Sequence, residues 1–492
     1  MPNAAATRAE RSGWLLPATL ITLAITLLRV ALLAVNRTDL FVDEAQYWLW
    51  GQELAFGYYS KPPLIGWTIR AVTGLAGSDA AFWIRLPAPL LHGATALLLG
   101  AIAARQAGRA AAIWVSAAYL TLPMVSVGSA IISTDTIMVP FLALALLAWL
   151  RGLDTGGSYP WAIVAGLALG IAFLGKYAAV YFLISAGLAA AFLWQARPGW
   201  GPALAGLAAF LIAISPNLIW NIANGMSTLE HTLDNADWVR EPDERARLNL
   251  PGLAAFLGAQ FIVFGPVFFA VLLRLALCWR ARTAEQRFWL LFSIPVIAIV
   301  SVQALLSEAY ANWAATAYLG GTLLVVPWLL DGRGGWLRAG LAFNLALALA
   351  IPLLTVFGTG LRAGGDLLLA RYLGRDEMSQ AILDAARAEG LDTVVAEDRD
   401  ILADLFYFNR GGAIAVYARP VDERAPNHYV LKHSMPRAQE GSVLLVAMRR
   451  DPKTDCPVVR VGHLEPETGA YKRRSQKLFR VDAQCLVARS SP

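Results

Sequence analysis

Apolar runs broken at short intervals by one or two charges fill residues 12–361, and beyond them polar and apolar residues alternate as in a soluble fold. A helix crosses the hydrocarbon core of a bilayer with about 20 apolar residues. Charge-poor stretches of that order lie at 12–35, 86–104, 110–134, 136–150, 155–175, 177–196, 198–229, 248–273, 288–307, 309–330 and 339–361, which predicts about eleven transmembrane helices, with a range of 11–13. The stretch 136–150 is short and borrows residues from before Asp135.

Residues 36–67, NRTDLFVDEAQYWLWGQELAFGYYSKPPLIGW, break this pattern after the first run. They carry the acidic pair Asp43-Glu44, an aromatic helix-like run at 45–56, and Lys61-Pro62-Pro63. An amphipathic, aromatic-rich helix between spans is expected to lie in the interface plane. Two successive prolines stiffen the backbone and prevent a helix from running through them.

The C-terminal pattern is different in kind. Residues 379–389 and 400–408 have helical spacing, while 392–396, 413–417, 443–447 and 458–461 are short β-branched runs. The expected architecture is therefore a polytopic helical membrane domain at 1–361, including the first outer loop 36–67, followed by a soluble α/β domain at 362–492. The latter has no glycine-rich phosphate loop and no nucleophile triad, so it is expected to pack as a cap or dock an acceptor.

Composition sharpens this division. Of the 492 residues 57% are hydrophobic and only 15% charged, and the mean hydropathy is +0.52. Residues 1–361 hold 38 charged side chains, and 362–492 hold as many in about a third of the length. The net charge of +6 is scattered, which excludes a nucleic-acid-binding stripe. Of three cysteines, Cys278 lies in an apolar run; Cys456 and Cys485 either pair, if the tail is extracytoplasmic, or remain thiols. The apolar run after Arg11 is too long for a cleavable signal peptide and is expected to be the first span. With the N-terminus inside, Arg105, Arg109, Arg151, Arg197, Arg280, Arg282, Arg287, Arg333 and Arg338 fall on inner loops, and Lys176 alone on a short outer one. This is the positive-inside bias, and it places the tail outside.

The same orientation sends Asp43, Glu44, Lys61, Arg85, Asp135, Lys176, Glu230, His231 and Glu308 to the outer ends of spans. Ionisable groups at membrane depth are costly and tend to line functional cavities. Asp43, Glu44 and Asp135 are candidate catalytic carboxylates, able to take a proton from a hydroxyl; their plainer reading is helix capping. Lys61, Lys176 and Arg85 are candidate phosphate ligands; snorkelling and tight turns explain them more simply. Tyr47, Tyr59, Tyr177, His231, Asn312 and Trp313 complete the candidate substrate contacts, although tryptophans also anchor helices at the interface. His231 has no second histidine at ligand spacing, so a divalent metal has no support from the pattern.

In chain order the motifs DEAQYW, SKPPLIGW, RLPAP, STDT, GKY, PNLIWN…EH and ANWAA resemble bacterial glycosyltransferases of the GT-C superfamily, in the protein O-mannosyltransferase and aminoarabinose-transferase group. The resemblance runs across 12–330 and more loosely over the tail. It implies a transferase that takes a sugar from a polyprenyl-phosphate donor on the outer leaflet; the expectation built on it is an inner-membrane enzyme that passes the sugar by inverting displacement to lipid A or its core, another glycan or a protein hydroxyl. It implies Asp43 as the base, Lys61 and Lys176 at the donor phosphate, and a role for Asp135. Ser60 stands where many aminoarabinose-type relatives carry an acidic residue before Lys-Pro-Pro, which points away from their kind of metal site and from aminoarabinose. The alternative class, a carrier for lipid-linked sugars, calls for inverted repeats and paired broken helices, and the sequence shows neither.

Overall fold

The computed structural model describes residues 13–226, 228, 248–421, 424–448 and 456–487. Among these, six helices are long and apolar enough to cross a membrane: Leu15–Ala34, Ala81–Thr121, Thr134–Asp154, Trp200–Ala223, Ala284–Leu306 and Gly334–Phe357. A seventh is counted if Leu250–Val263 and Pro266–Leu277, bent by 116°, form one span. Leu64–Ala76, Tyr159–Gly175, Tyr177–Phe192 and Ala317–Leu330 are shorter apolar helices. The chain is thus a multi-pass helical membrane protein with a C-terminal sheet region, and the expected count of eleven spans is not confirmed.

Glycine and proline account for much of the difference. Gly265 adopts φ +92°, and Pro266 after it has no N–H to continue a helix, so the stretch expected as one span at 248–273 is broken there. The helix Pro87–Thr121 conceals the opposite case. Gly108 sits at φ +81°, Ser116 Oγ donates to the Ala96 carbonyl at 2.9 Å, and His92 Nδ1 meets the Tyr119 hydroxyl at 2.9 Å. Contacts that pair residues before and after the turn near Gly108 mean two antiparallel arms, as the separate runs expected from 86–104 and from 110 onward imply, although the second run breaks again before Pro123.

The chain divides into two compact units. The first comprises Met1–Ala34, Ser60–Thr68 and Arg85–Pro352. Its core is a bundle in which small residues let helices approach: a Cβ at Gly166 would lie 2.0 Å from the Gly206 carbonyl oxygen. Arg29, buried in the first helix, donates to Ser129 Oγ at 3.1 Å and to the Leu120 carbonyl at 2.5 Å, so its charge is met by polar partners inside the bundle.

The second unit comprises Val35–Tyr59, Ile69–Ile84 and Leu353–Pro492. The density of charges placed 36–67 with the membrane part; here 35–59 and 69–84 cluster with the C-terminal region. A five-stranded sheet runs in the order Ala415–Ala418, Thr393–Ala396, Ser442–Met448, Gln476–Asp482, Val459–Leu464, the first three parallel and the rest antiparallel. Thr393–Ala396 is buried throughout, as a central parallel strand should be. A disulfide joins Cys456 to Cys485 with the Cα atoms 5.9 Å apart. Arg375 holds both Asp404 oxygens at 3.0 and 3.2 Å, and the Tyr471 hydroxyl donates to the same carboxylate at 2.5 Å, fixing the helix Arg375–Ala388 on Arg399–Phe408.

Candidate active site

In the second unit the first-loop helix is Val42–Gln52, shorter than the expected 45–56, and it is no interfacial helix: Tyr47, Trp48, Leu49 and Trp50 are all buried. Trp48 meets Tyr407 edge-on at 5.2 Å, and Trp50 stacks on Tyr58 at 4.8 Å. Aromatic burial of this size favours a protein core over a bilayer surface. Two expected substrate contacts are absorbed by the same packing. Tyr47 lies against Trp50 at 5.3 Å, and Tyr59, also buried, donates its hydroxyl to the Ala425 carbonyl at 3.0 Å.

The acidic pair divides its labour. Glu44 is 1% exposed and accepts from the Phe41 N–H at 2.9 Å, the backward half of a capping box, so the cap expected of the pair falls to its second member. Asp43 is thereby left to point outward. Its Oδ1 accepts from Arg399 Nη2 at 2.6 Å, the two side chains being 45% and 39% exposed, and its Oδ2 accepts no hydrogen bond from any described residue. Arg399 also donates from Nε to Gln46 Oε1 at 3.0 Å. Burial opposes the charge on Arg399, but Asp43, Tyr429 and Asp400 outweigh it and raise its pKa.

A separate cavity of about 580 Å³ in this unit is lined by Asn36, Thr38, Asp39, Asp376, Tyr407 and Arg410 among others, without Asp43. Asp39 accepts from the Arg375 N–H at 2.8 Å, and burial raises its carboxyl. Burial also pushes Asp376 up to about 6, with Asp39 and Glu377 adding to the effect and Arg410 opposing it.

In the first unit Asp135, Lys176 and Asn312 come together from three separate stretches of chain. Ser133 caps the helix Thr134–Asp154 by accepting from the Thr136 N–H, which frees the Asp135 carboxylate from capping duty. Lys176 stands in extended backbone (φ −159°) between two apolar helices and donates to both Asp135 oxygens at 2.8 Å. Asn312 Nδ2 donates to Oδ2 at 2.8 Å. The pair is 17–18% exposed, so the ammonium is only partly solvated. Asp135 opens this helix and Asp154, ion-paired to Arg105 near the hairpin bend, closes it. At 1.5 Å per residue the two ends stand about 28 Å apart, close to the thickness of a hydrocarbon core.

Behind this cluster lie His92, Thr136, Asn217 and Asn221, which sequence reading did not single out, together with the candidate Tyr177. The Thr136 hydroxyl donates to the Gly128 carbonyl at 3.0 Å and lies 3.4 Å from His92 Nε2. The Tyr177 hydroxyl donates to Asn217 Oδ1 at 2.9 Å and accepts from Asn221 Nδ2 at 3.3 Å. Asn217 and Asn221 sit four apart on an apolar helix, a one-sided polar stripe visible in PNLIWN. Arg399 had no such signal, because Glu397-Asp398-Arg399-Asp400 looks like a solvated turn.

Arg85 ends a short helix, Ala81–Arg85, and is buried; Lys61 is half-buried before Pro62 and Pro63. Trp313 packs edge-on against Tyr310 at 5.7 Å. Glu230 and His231 lie outside the described residues. Among the described residues no three His, Cys, Asp or Glu side chains gather as a metal cluster.

Residues 60–220 match the family model described as dolichyl-phosphate-mannose-protein mannosyltransferase. A lipid A galacturonosyltransferase, RgtD, of Rhizobium johnstonii (strain DSM 114642 / LMG 32736 / 3841) is 40% identical over 475 residues, covering 95% of this chain and 98% of the relative. The crystal structure of ArnT from Cupriavidus metallidurans in the apo state superposes with a TM-score of 0.63 at 14% identity, covering 95% of this chain and 98% of that one.

Proposed function

Since this chain belongs to the bacterial GT-C glycosyltransferases of the protein O-mannosyltransferase and aminoarabinose-transferase group, and is a membrane glycosyltransferase, we propose that it moves galacturonic acid from a polyprenyl-phosphate carrier to lipid A. The observation that carries the choice of sugar and acceptor is the 40% identity to a lipid A galacturonosyltransferase along 95% of the chain.

Transfer proceeds by a single displacement. An acceptor hydroxyl oxygen forms a bond to the anomeric carbon as the bond from that carbon to the phosphate oxygen breaks, inverting the centre. Asp43 takes the hydroxyl proton through Oδ2, which no described residue occupies. Polyprenyl phosphate leaves with the bonding electrons and needs no proton. Lys61 and Arg85 meet its charge, and Lys176, held by Asp135, keeps one ammonium hydrogen beyond the two bonds it makes there.

The site faces the periplasm of a bacterial inner membrane, with the N-terminus cytoplasmic. The arginine-rich loops support this orientation, as does the Cys456–Cys485 disulfide, a bond that persists in oxidising compartments. The test is the purified protein in detergent with polyprenyl-phosphate galacturonic acid and lipid A, followed by mass spectrometry. Lipid A gaining one uronic acid is the expected product. Lipid A left unmodified, while another sugar donor or a protein acceptor reacts, overturns the assignment.

A further inference from the structure

The guanidinium beside Asp43 is only half used. Its side edge is spent: Nη2 donates to Asp43 at 2.6 Å and Nε to Gln46 at 3.0 Å. The other edge, Nη1 with the second Nη2 hydrogen, makes no hydrogen bond to any described residue, and the side chain is 39% exposed. The acids flanking Arg399 in sequence do not compete for that edge. Arg474 takes both, donating to Asp398 at 2.8 and 3.0 Å and to Asp400 at 2.7 Å. Asp398 caps the helix Arg399–Phe408 as well, accepting from Asp400 N–H at 2.9 Å and Ile401 N–H at 3.2 Å, so the backbone that carries Arg399 is fixed.

An arginine held by one edge presents the other as a planar pair of donors, the geometry that matches a carboxylate. In a uronic acid the carboxylate is attached to C5, and only the ring oxygen separates C5 from the anomeric carbon. A base that removes the proton of the group attacking that carbon has the sugar carboxylate close by. Unshielded, the two anions would repel; a guanidinium bonded to both removes the conflict. We propose that Arg399 reads the donor's carboxylate with its open edge while its side edge holds Asp43, making it the residue that selects a uronyl over a neutral hexosyl donor. This rests on the galacturonosyl reading above and adds to it the group that enforces the choice.

The experiment compares full-length wild type, Arg399→Gln and Arg399→Lys with polyprenyl-phosphate galacturonic acid and polyprenyl-phosphate galactose, measuring kcat and KM for each. Removing the guanidinium loosens Asp43 and slows both donors, but the uronyl-to-galactosyl ratio of kcat/KM is expected to fall a further ~10- to 100-fold in Arg399→Gln, the size of a charged hydrogen-bonded pair. Arg399→Lys should recover part of that ratio, since an ammonium keeps the charge without the fork. An equal loss for both donors, with the ratio unchanged, overturns the proposal and leaves Arg399 as a positioning residue for Asp43. If Arg399→Gln does not fold, inhibition of the wild type decides: free galacturonate should compete with the donor far better than galactose, and equal inhibition sinks the idea. A wild type that uses no uronyl donor fails earlier, at the function itself, and takes this inference with it.

Discussion

The candidate aspartates Asp135 and Asp43 are each held by a cation, and the pairs differ in ways that matter for chemistry. Asp135 in the helical bundle has both oxygens closed by one ammonium, with Asn312 added on Oδ2, in a site 17–18% exposed. Asp43, in the unit that includes the sheet, has one oxygen on a guanidinium and the other open, with the pair 39–45% exposed. Ion-pair strength rises as water is excluded, so the first pair is a fixed element and the second an exchangeable one. A proton acceptor must be exchangeable. This contrast is the reason for proposing Asp43 as the base, while Asp135 holds Lys176.

The largest effect expected from breaking this contrast is catalytic. Asp43→Asn keeps the shape and removes the proton acceptor, and general-base catalysis contributes about 10²–10⁴-fold. Turnover should fall by that factor, while stability changes by about 1 kcal/mol or less because the ion pair lost is an exposed one. Paired measurements of kcat and of unfolding in detergent separate the two. Turnover within a few-fold of wild type means that Asp43 is not the base.

Lys176→Met tests the other pair, and here stability is the main readout. It strands a largely buried carboxylate, which costs about 3 kcal/mol, somewhat under the full penalty because the site is not completely dry. Adding Asp135→Asn should restore most of that loss, since neither charge is then left alone, without restoring transfer. Denaturation of the single and double variants in detergent checks this. A double variant no more stable than Lys176→Met shows that the pair does not stabilise the bundle as its geometry implies.

What the sequence disclosed follows the same contrast. Lone charges between apolar runs are conspicuous, so Asp135 and Lys176 were legible before any fold was known, and Asn312 was legible in the ANWAA motif, although their meeting was not: they lie on three separate stretches of chain. Arg399 was invisible for the opposite reason, because an arginine among acids at a helix start is ordinary in a soluble domain. Tyr47 and Tyr59 drew attention because an aromatic run suits a membrane surface and a protein core equally, and only packing tells the two apart: Tyr47 lies against Trp50, and the Tyr59 hydroxyl donates to the Ala425 carbonyl. The strand Gln476–Asp482 was missed because Gln, Lys and Asp are poor strand residues; it exists because it pairs on both sides, with Ser442–Met448 and with Val459–Leu464. The helix count suffered at Gly108 and Gly265, where hydrogen bonding and hydropathy divide the same chain differently.

A third aspartate sharpens the contrast at the smallest scale. Asp376 makes no ion pair with any described residue, and burial, with Asp39 and Glu377 nearby, pushes its pKa up to about 6 against the opposing field of Arg410. Unfolded, it titrates near 3.8. The native state therefore binds the proton more tightly, and between those two values stability falls as pH rises, with the loss complete above about 6. This sign is opposite to that of a carboxylate held by a cation, whose stabilisation is lost as pH falls. Asp376→Asn cannot ionise, so its melting temperature should change less than that of wild type between pH 4.5 and 7.5 and should exceed it modestly at the upper end. Identical pH profiles for the two proteins would mean that the Asp376 carboxyl is solvated as in the unfolded chain and that burial without a partner cation costs nothing at this position.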